Sequence, residues 1–225
     1  MTEDEARDEI CRVGRSLFER GYVHATAGNI SVRLDAAEGG GYLITPTDAC
    51  LGFLDPARLA RVGADGRRSS GDAPSKTLAL HARIYDAARR FDHATSSIIH
   101  THATHCVALT LQPGPLTELV PPITPYFVMK VGHVPVIAYQ RPGSPTVGED
   151  VVDAIERYGR AGTAIRAVVL ERLGPAVWHE TPAAAMAVLE ELEETARLLL
   201  AVGASCPPLT DDAIDELRTT FGARW

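Results

Sequence analysis

The stretch Ser96-Ser-Ile-Ile-His-Thr-His102, with the segment Ala103 to Leu111 behind it, decides the fold class. Two β-branched residues between short polar ones read as a buried strand, and the run that follows returns to a helical pattern. The same exchange of strand and helix continues in both directions. Towards the N-terminus, Ala6, Ile10, Val13 and Leu17 recur at helical spacing, so a helix is expected over Asp4 to Glu19 with Gly21 as its stop. Asn29 to Leu34 and Tyr42 to Thr45 read as strands joined across Gly39-Gly-Gly41. A further hairpin is expected where Ala60-Arg-Val-Gly63 meets Ala64-Asp-Gly-Arg67, and a helix over Thr77 to Ala88 on the face of Leu80, Ile84 and Ala87.

Towards the C-terminus, Val134 to Ala138 reads as strand, Val147 to Tyr158 as helix, and Ala167 to Glu171 with Ala176 to Trp178 as a hairpin. Pro182 to Val202 carries the clearest helical period. Ala185, Leu189, Leu192, Ala196 and Leu199 make its buried stripe, and Glu190, Glu191, Glu193 and Glu194 are assigned to the wet side as a solvated face. Interleaved strands and helices imply an α/β fold. No repeat, low-complexity segment or linker divides the chain, so one domain over 1–225 is expected.

Composition narrows the function classes. The 225 residues, 45% of them hydrophobic, suffice for one substantial core. A net charge of −7, from 22 basic and 29 acidic residues, argues against a nucleic-acid or anionic-membrane surface, so any anion site is local. Cys11, Cys50, Cys106 and Cys206 are too dispersed for a zinc knuckle or a disulfide framework. The acidic start and the lack of a long apolar run point to a cytoplasmic protein with no membrane span.

Four segments carry chemistry. On a strand, residues i and i+2 share a side, so His100 and His102 can grip one cation, and His105 follows one helical turn later. Thr26-Ala-Gly-Asn29 offers a hydroxyl, an amide and free backbone N–H groups around Gly28, where backbone can approach a ligand closely; a plain turn has the same composition. Thr45-Pro-Thr-Asp48 is a second hydroxyl-rich strand end. Pro74-Ser-Lys-Thr77 opens a helix, where the helix N-terminus, Ser75 and Lys76 favour a phosphate; an ordinary N-cap by Ser75 or Thr77 is the simpler alternative.

Taken in order, these segments resemble the class II aldolase/adducin family, which includes L-fuculose-phosphate aldolase and L-ribulose-phosphate 4-epimerase. Thr26-Ala-Gly-Asn-Ile-Ser-Val-Arg33, Leu43-Ile-Thr-Pro-Thr47, Pro74-Ser75 with His81 and Tyr85 downstream, and Ile98-Ile-His-Thr-His102 carry the likeness over nearly the whole chain. Pro74-Ser-Lys76, Pro121 to Pro135 and Tyr139-Gln-Arg-Pro-Gly143 are similar to the branch that decarboxylates 3-oxo-tetronate 4-phosphates. The resemblance implies a three-layer α/β/α domain, a homotetramer with active sites shared between subunits, and one divalent metal held by histidines. Zn2+ is the first choice, with Mn2+, Co2+ and Fe2+ as alternatives.

Two departures from the family pattern bear on the chemistry. Aldolases of the family carry a Glu where this chain has Thr77, and their third metal-binding His falls at Leu173. An aldol cleavage needs a base at a hydroxyl; a β-keto acid loses CO2 given only an electron sink. The expected reaction is therefore decarboxylation of a 3-oxo-tetronate 4-phosphate to dihydroxyacetone phosphate, through an enediolate on a metal at His100 and His102. Thr26, Gly28, Asn29, Thr47, Asp48, Ser75 and Lys76 are expected to bind the phosphorylated substrate. Lys76 or Lys130 would hold the departing carboxylate or the phosphate, Thr77 stands at the place of the lost base, and Tyr126 of a neighbouring subunit would deliver the proton. The third metal ligand is left among Glu171 (two residues before Leu173 and taken to lie on the same strand face), His105, His133 and the substrate. Aldol cleavage of a sugar phosphate and a non-catalytic adducin-like domain are the competing expectations.

Overall fold

The computed structural model describes residues 1–203 and 206–225. Helix α1 (Glu3–Glu19) opens with a capping box in which Thr2 and Glu5 satisfy each other's backbone N–H groups, and it buries the expected stripe. Next come β1 (Asn29–Arg33), β2 (Tyr42–Ile44), β3 (Ala60–Val62) and β4 (Arg68–Ser70). Helix α2 (Leu78–Ala88) precedes β5 (Ser97–His100) and α3 (Thr104–Thr110). The remainder is α4 (Pro125–Lys130), β6 (Val136–Ile137), α5 (Val147–Arg160), β7 (Ala167–Leu170), β8 (Gly174–His179), α6 (Pro182–Val202) and α7 (Asp211–Phe221).

The strands form one eight-stranded sheet in the order β4-β3-β2-β1-β5-β8-β7-β6, antiparallel except for the β6–β7 pair. Because β1 runs against both β2 and β5, the start of β1 and the ends of β2 and β5 meet at one edge of the sheet. The β7–β8 turn joins them, since β8 runs against β5. Sequence-distant loops are thereby gathered before any side-chain chemistry is considered.

Alternation along the strands divides the core into two layers. Ile30, Val32 and Ile99 face α1, α3 and α6, together with Ala6, Ile10, Leu17, Leu189 and Leu192. Ile98, Ala176 and Trp178 face α2 and α5, with Ile84, Tyr85, Val151 and Ile155. This is the expected three-layer α/β/α arrangement. Burying side chains of this size contributes about 1.5 to 3 kcal/mol each before conformational entropy is subtracted.

Several expectations need correcting. The strand read to His102 ends at His100: the Thr101 N–H still bonds in register to the Pro175 carbonyl (3.1 Å), but Pro175 has no N–H to return and the ladder stops there. The hairpin expected at this point is present as β3–β4, with residues 64–67 as its turn, closed by the Gly66 N–H on the Gly63 carbonyl. Strand β6 keeps only two residues. Helices α4 and α7 were not read from the sequence, although each starts on a capping threonine: Thr124 accepts from the Phe127 N–H and Thr210 from the Ala213 N–H.

The acidic face of α6 is also not uniformly wet. Glu193 is buried, and its carboxylate accepts the His105 and Cys106 backbone N–H groups at 2.8 and 2.9 Å. Helix period places Glu193 correctly on α6 but says nothing of α3, whose exposed N–H groups and positive end need an anion. The α6 carboxylate therefore acts as a long-range cap.

Candidate active site at one edge of the sheet

His100 closes β5 on the face shared with α2, opposite Asn29 in the ladder. Its Nδ1 donates to the Pro175 carbonyl at 2.9 Å, so in the neutral ring Nε2 carries the free lone pair. Burial, and then the neighbouring His102, push its pKa down to about 4, against the opposing hydrogen bond to Pro175. His102 is half-buried and is also shifted down, first by burial and then by His24. The two ring centroids lie 5.4 Å apart with an interplanar angle of 64°.

Because β5 has already ended, strand alternation does not hold His102 in place. Gly174 does this: its φ of +118° lets the β7–β8 turn sit so close that a Cβ there would be 2.3 Å from the Thr101 carbonyl oxygen and 3.0 Å from His102 Cα. Gly28 plays the matching part on the other side, with φ +89° and a Cβ position 2.9 Å from the His100 carbonyl oxygen.

The other loops are stitched to this edge through backbone. Thr45 bonds to Ile30 through both its N–H and its hydroxyl, the Thr47 N–H donates to the Ala73 carbonyl (2.9 Å), and the Ser75 N–H donates to the Thr45 carbonyl (3.1 Å). Thr26, Gly28, Thr47, Asp48, Ser75, Lys76 and Thr77 thus fall on three adjoining loops, with Asn29 the first residue of β1 beside them. Thr77 makes no side-chain cap for α2; its hydroxyl pairs with that of Ser75 at 2.9 Å. Ala25, Asp48 and Arg172 hold positive φ angles of 48°, 56° and 65°, and each sits in a loop of this edge. Such outliers cost about 1 to 3 kcal/mol and cluster where loops serve a ligand.

Behind His100 lies a network that the sequence flagged only by position. His81 Nδ1 pairs with Ser31 Oγ (2.8 Å), Ser31 Oγ pairs with Tyr85 OH (2.8 Å), and Tyr85 OH donates to the Ser31 carbonyl (3.0 Å). Burial, then the proximity of His100, push the His81 pKa down to about 3. His81 Nε2 and Asn29 Oδ1 are buried without a partner. Buried polar atoms of this kind are disfavoured unless something completes them.

Three of the expected third ligands are otherwise engaged. Glu171 lies in the β7–β8 turn, not on a strand, and accepts the Tyr139 N–H at 2.8 Å. The turn reverses the chain, so the argument from a shared strand face does not apply. His105 Nδ1 lies 2.8 Å from the Glu193 carboxylate, and His133 lies 3.3 Å from Glu118 and stacks on Trp225. Leu173 packs partly buried against the α2–α5 core layer. Among the described residues, no three His, Cys, Asp or Glu side chains are gathered as a ready coordination set. The neutral pair at His100 and His102, with Nδ1 of His100 fixed from behind, nevertheless fits a borderline divalent ion.

Tyr126 and Lys130 are on α4, both exposed, and no hydrogen bond among the described residues joins either to the His100 edge. A cavity of about 340 Å³ is lined by Thr47, Asp48, Cys50, Phe53, Arg58 and Asp72, and none of the histidines lines it. Among the described residues, no helix is long and apolar enough to cross a membrane.

Comparison with known proteins agrees with this arrangement. Residues 8–200 match the family described as Class II Aldolase and Adducin N-terminal domain. A 3-oxo-tetronate 4-phosphate decarboxylase of Cupriavidus necator is 50% identical over 100% of this chain and 99% of its own length. The Escherichia coli protein of the same name is 38% identical over 96% and 97%. Among solved structures, YgbL of Escherichia coli, provisionally assigned as an aldolase/epimerase/decarboxylase, superposes with a TM-score of 0.85 at 37% identity, covering 96% of this chain and 99% of that one. L-fuculose-1-phosphate aldolase from Thermus thermophilus gives a TM-score of 0.71 at 25% identity over 91% and 98%.

Proposed function

The chain belongs to the class II aldolase and adducin family, and from that premise we propose that it is a metal-dependent carbon–carbon lyase that decarboxylates a 3-oxo-tetronate 4-phosphate to dihydroxyacetone phosphate and CO2. The observation that carries this reading is 50% identity, end to end, with a decarboxylase of that name, together with a paired-imidazole edge in the same chain.

In the proposed reaction the bond between the carboxyl carbon and its neighbour breaks, and its electron pair moves onto the adjacent ketone oxygen, giving an enediolate. CO2 departs, and one proton added to the former α-carbon completes dihydroxyacetone phosphate. Thr26, Asn29, Thr47, Ser75 and Lys76 bind the phosphate on the three stitched loops, and Gly28 keeps their backbone against His100. Lys76 or Lys130 orients the carboxylate. His100 and His102 hold a divalent metal, Zn2+ in the first instance, whose chemistry when bound is Lewis-acid stabilisation of negative charge on oxygen. The Pro175 carbonyl keeps the His100 proton on Nδ1 so that Nε2 stays available. Tyr126, exposed on α4, supplies the proton to a neighbouring subunit's site within a cytoplasmic homotetramer of one-domain chains spanning 1–225.

Thr77 in place of an acidic side chain favours decarboxylation over aldol cleavage, since a threonine hydroxyl is no base at neutral pH. Incubating purified, metal-loaded protein with a 3-oxo-tetronate 4-phosphate tests this. CO2 and dihydroxyacetone phosphate in equal amounts are expected. Aldehyde release from a ketose phosphate without CO2 from the keto acid would replace this reading with the aldolase one.

A further inference from the structure

We propose that His24 completes the cation site, swinging from the loop above the sheet edge to place a third imidazole nitrogen beside His100 and His102. This rests on the reading of His100 and His102 as metal ligands and adds to them a residue that neither strand period nor the loop motif singles out.

His24 begins a tight turn closed by the Ala27 N–H on the His24 carbonyl (3.0 Å), with Ala25 inside it at φ +48°. Four residues on, the same loop touches His100 twice: Gly28 leaves only glycine's space against the His100 carbonyl, and Asn29 pairs with His100 in the ladder. The loop carrying His24 is therefore anchored to the strand that carries the pair.

Mobility separates His24 from the other donors. His81 has a free Nε2 but is fully buried on α2 and tethered through Nδ1 to Ser31, so its ring cannot travel. Glu171, His105 and His133 are each engaged elsewhere, as described above. His24 is exposed and has no side-chain hydrogen bond among the described residues, so its ring is free to change rotamer. A metal with three protein ligands and an open position is the usual catalytic arrangement, and two imidazoles alone fall short of it. The turn at 24–27 and the close contact of Gly28 with the His100 carbonyl tie the His24 loop to the edge that carries the pair.

The test uses Co2+ alone as probe, with the full-length protein stripped of metal and no substrate present. Affinity is measured by equilibrium dialysis and coordination by visible absorption. For His24→Ala the affinity should fall at least about tenfold, because even a ligand's hydrogen-bonding partner is worth 10- to 100-fold, and the intensity of the Co2+ bands should drop as water replaces nitrogen. His105→Ala, whose ring is held by Glu193, should match wild type in both measurements. Equal Co2+ affinity and spectrum for His24→Ala and wild type would overturn the proposal while leaving the pair at His100 and His102 standing. If wild type binds no better than His100→Ala, the metal reading itself fails and this inference falls with it. Circular dichroism of His24→Ala should be unchanged, as expected at an exposed site.

Discussion

Substituting Gly174 by alanine tests how the edge is held together. The added Cβ would stand 2.3 Å from the Thr101 carbonyl oxygen and 3.0 Å from His102 Cα, both backbone atoms that cannot rotate away. Two penalties combine. A φ of +118° is unfavourable for an L-residue by about 1 to 3 kcal/mol. Forcing extra volume into a packed site costs a further 1 to 3 kcal/mol or so. Gly174→Ala should therefore lose about 2 to 6 kcal/mol of unfolding free energy in urea denaturation, and the displaced His102 should weaken Co2+ binding about tenfold. Gly21→Ala is the control, because φ is +78° there and nothing lies within 4 Å of the added Cβ. It should lose only about 1 to 2 kcal/mol and keep its cation affinity. If Gly174→Ala proves no less stable than Gly21→Ala, or binds Co2+ like wild type, close approach of the β7–β8 turn is not what positions His102.

Other substitutions probe the remaining links. Glu193→Ala leaves two α3 N–H groups and the His105 ring without their carboxylate, so it should cost about 1 to 3 kcal/mol for each N–H left unsatisfied, whereas Glu190→Ala, which removes a carboxylate paired with exposed Arg20, should cost about 1 kcal/mol or less; equal losses would show that the cap carries no weight. The pKa of His81 falls from 6.5 unfolded to about 3 folded, so below pH 6.5 the unfolded chain binds a proton that the native one refuses. In EDTA-treated protein, stability should decline by about 1.4 kcal/mol per pH unit from this residue between pH 6 and 4, with no contribution above pH 7. His81→Asn should remove that part of the slope, and an unchanged slope would mean the ring is not buried neutral. Lys76→Ala should raise KM for the phosphorylated substrate more than it lowers kcat if Lys76 binds phosphate; a kcat effect alone would argue for a role in the chemical step.

Much of this architecture is legible in local sequence. The period of α1 and α6, the alternation around Asn29 to Leu34 and the paired histidines all report on contacts within one element or one hairpin. What local pattern could not supply was partners from elsewhere in the chain. Glu193 reads as wet because the helix period knows nothing of the α3 N-terminus lying over it. His102 reads as strand because the ladder is ended by Pro175 on β8, some seventy residues later, which has no N–H to offer. Glu171 reads as strand because it continues the apolar run of β7, which ends one residue earlier, at Leu170. His24 escaped notice because one exposed histidine in a turn carries no periodic signal; only the contacts of Gly28 and Asn29 with His100 bring it near the site.

The dependence of catalysis on the paired histidines is tested most directly by following CO2 release from a 3-oxo-tetronate 4-phosphate through a cycle of chelation and Zn2+ restoration, in wild type and in His100→Ala. Wild type should lose its CO2 release with the metal and recover it on reconstitution, and His100→Ala should show none at any stage. Undiminished release from chelated protein, or full turnover by His100→Ala, would contradict the assignment of this edge as the reaction centre.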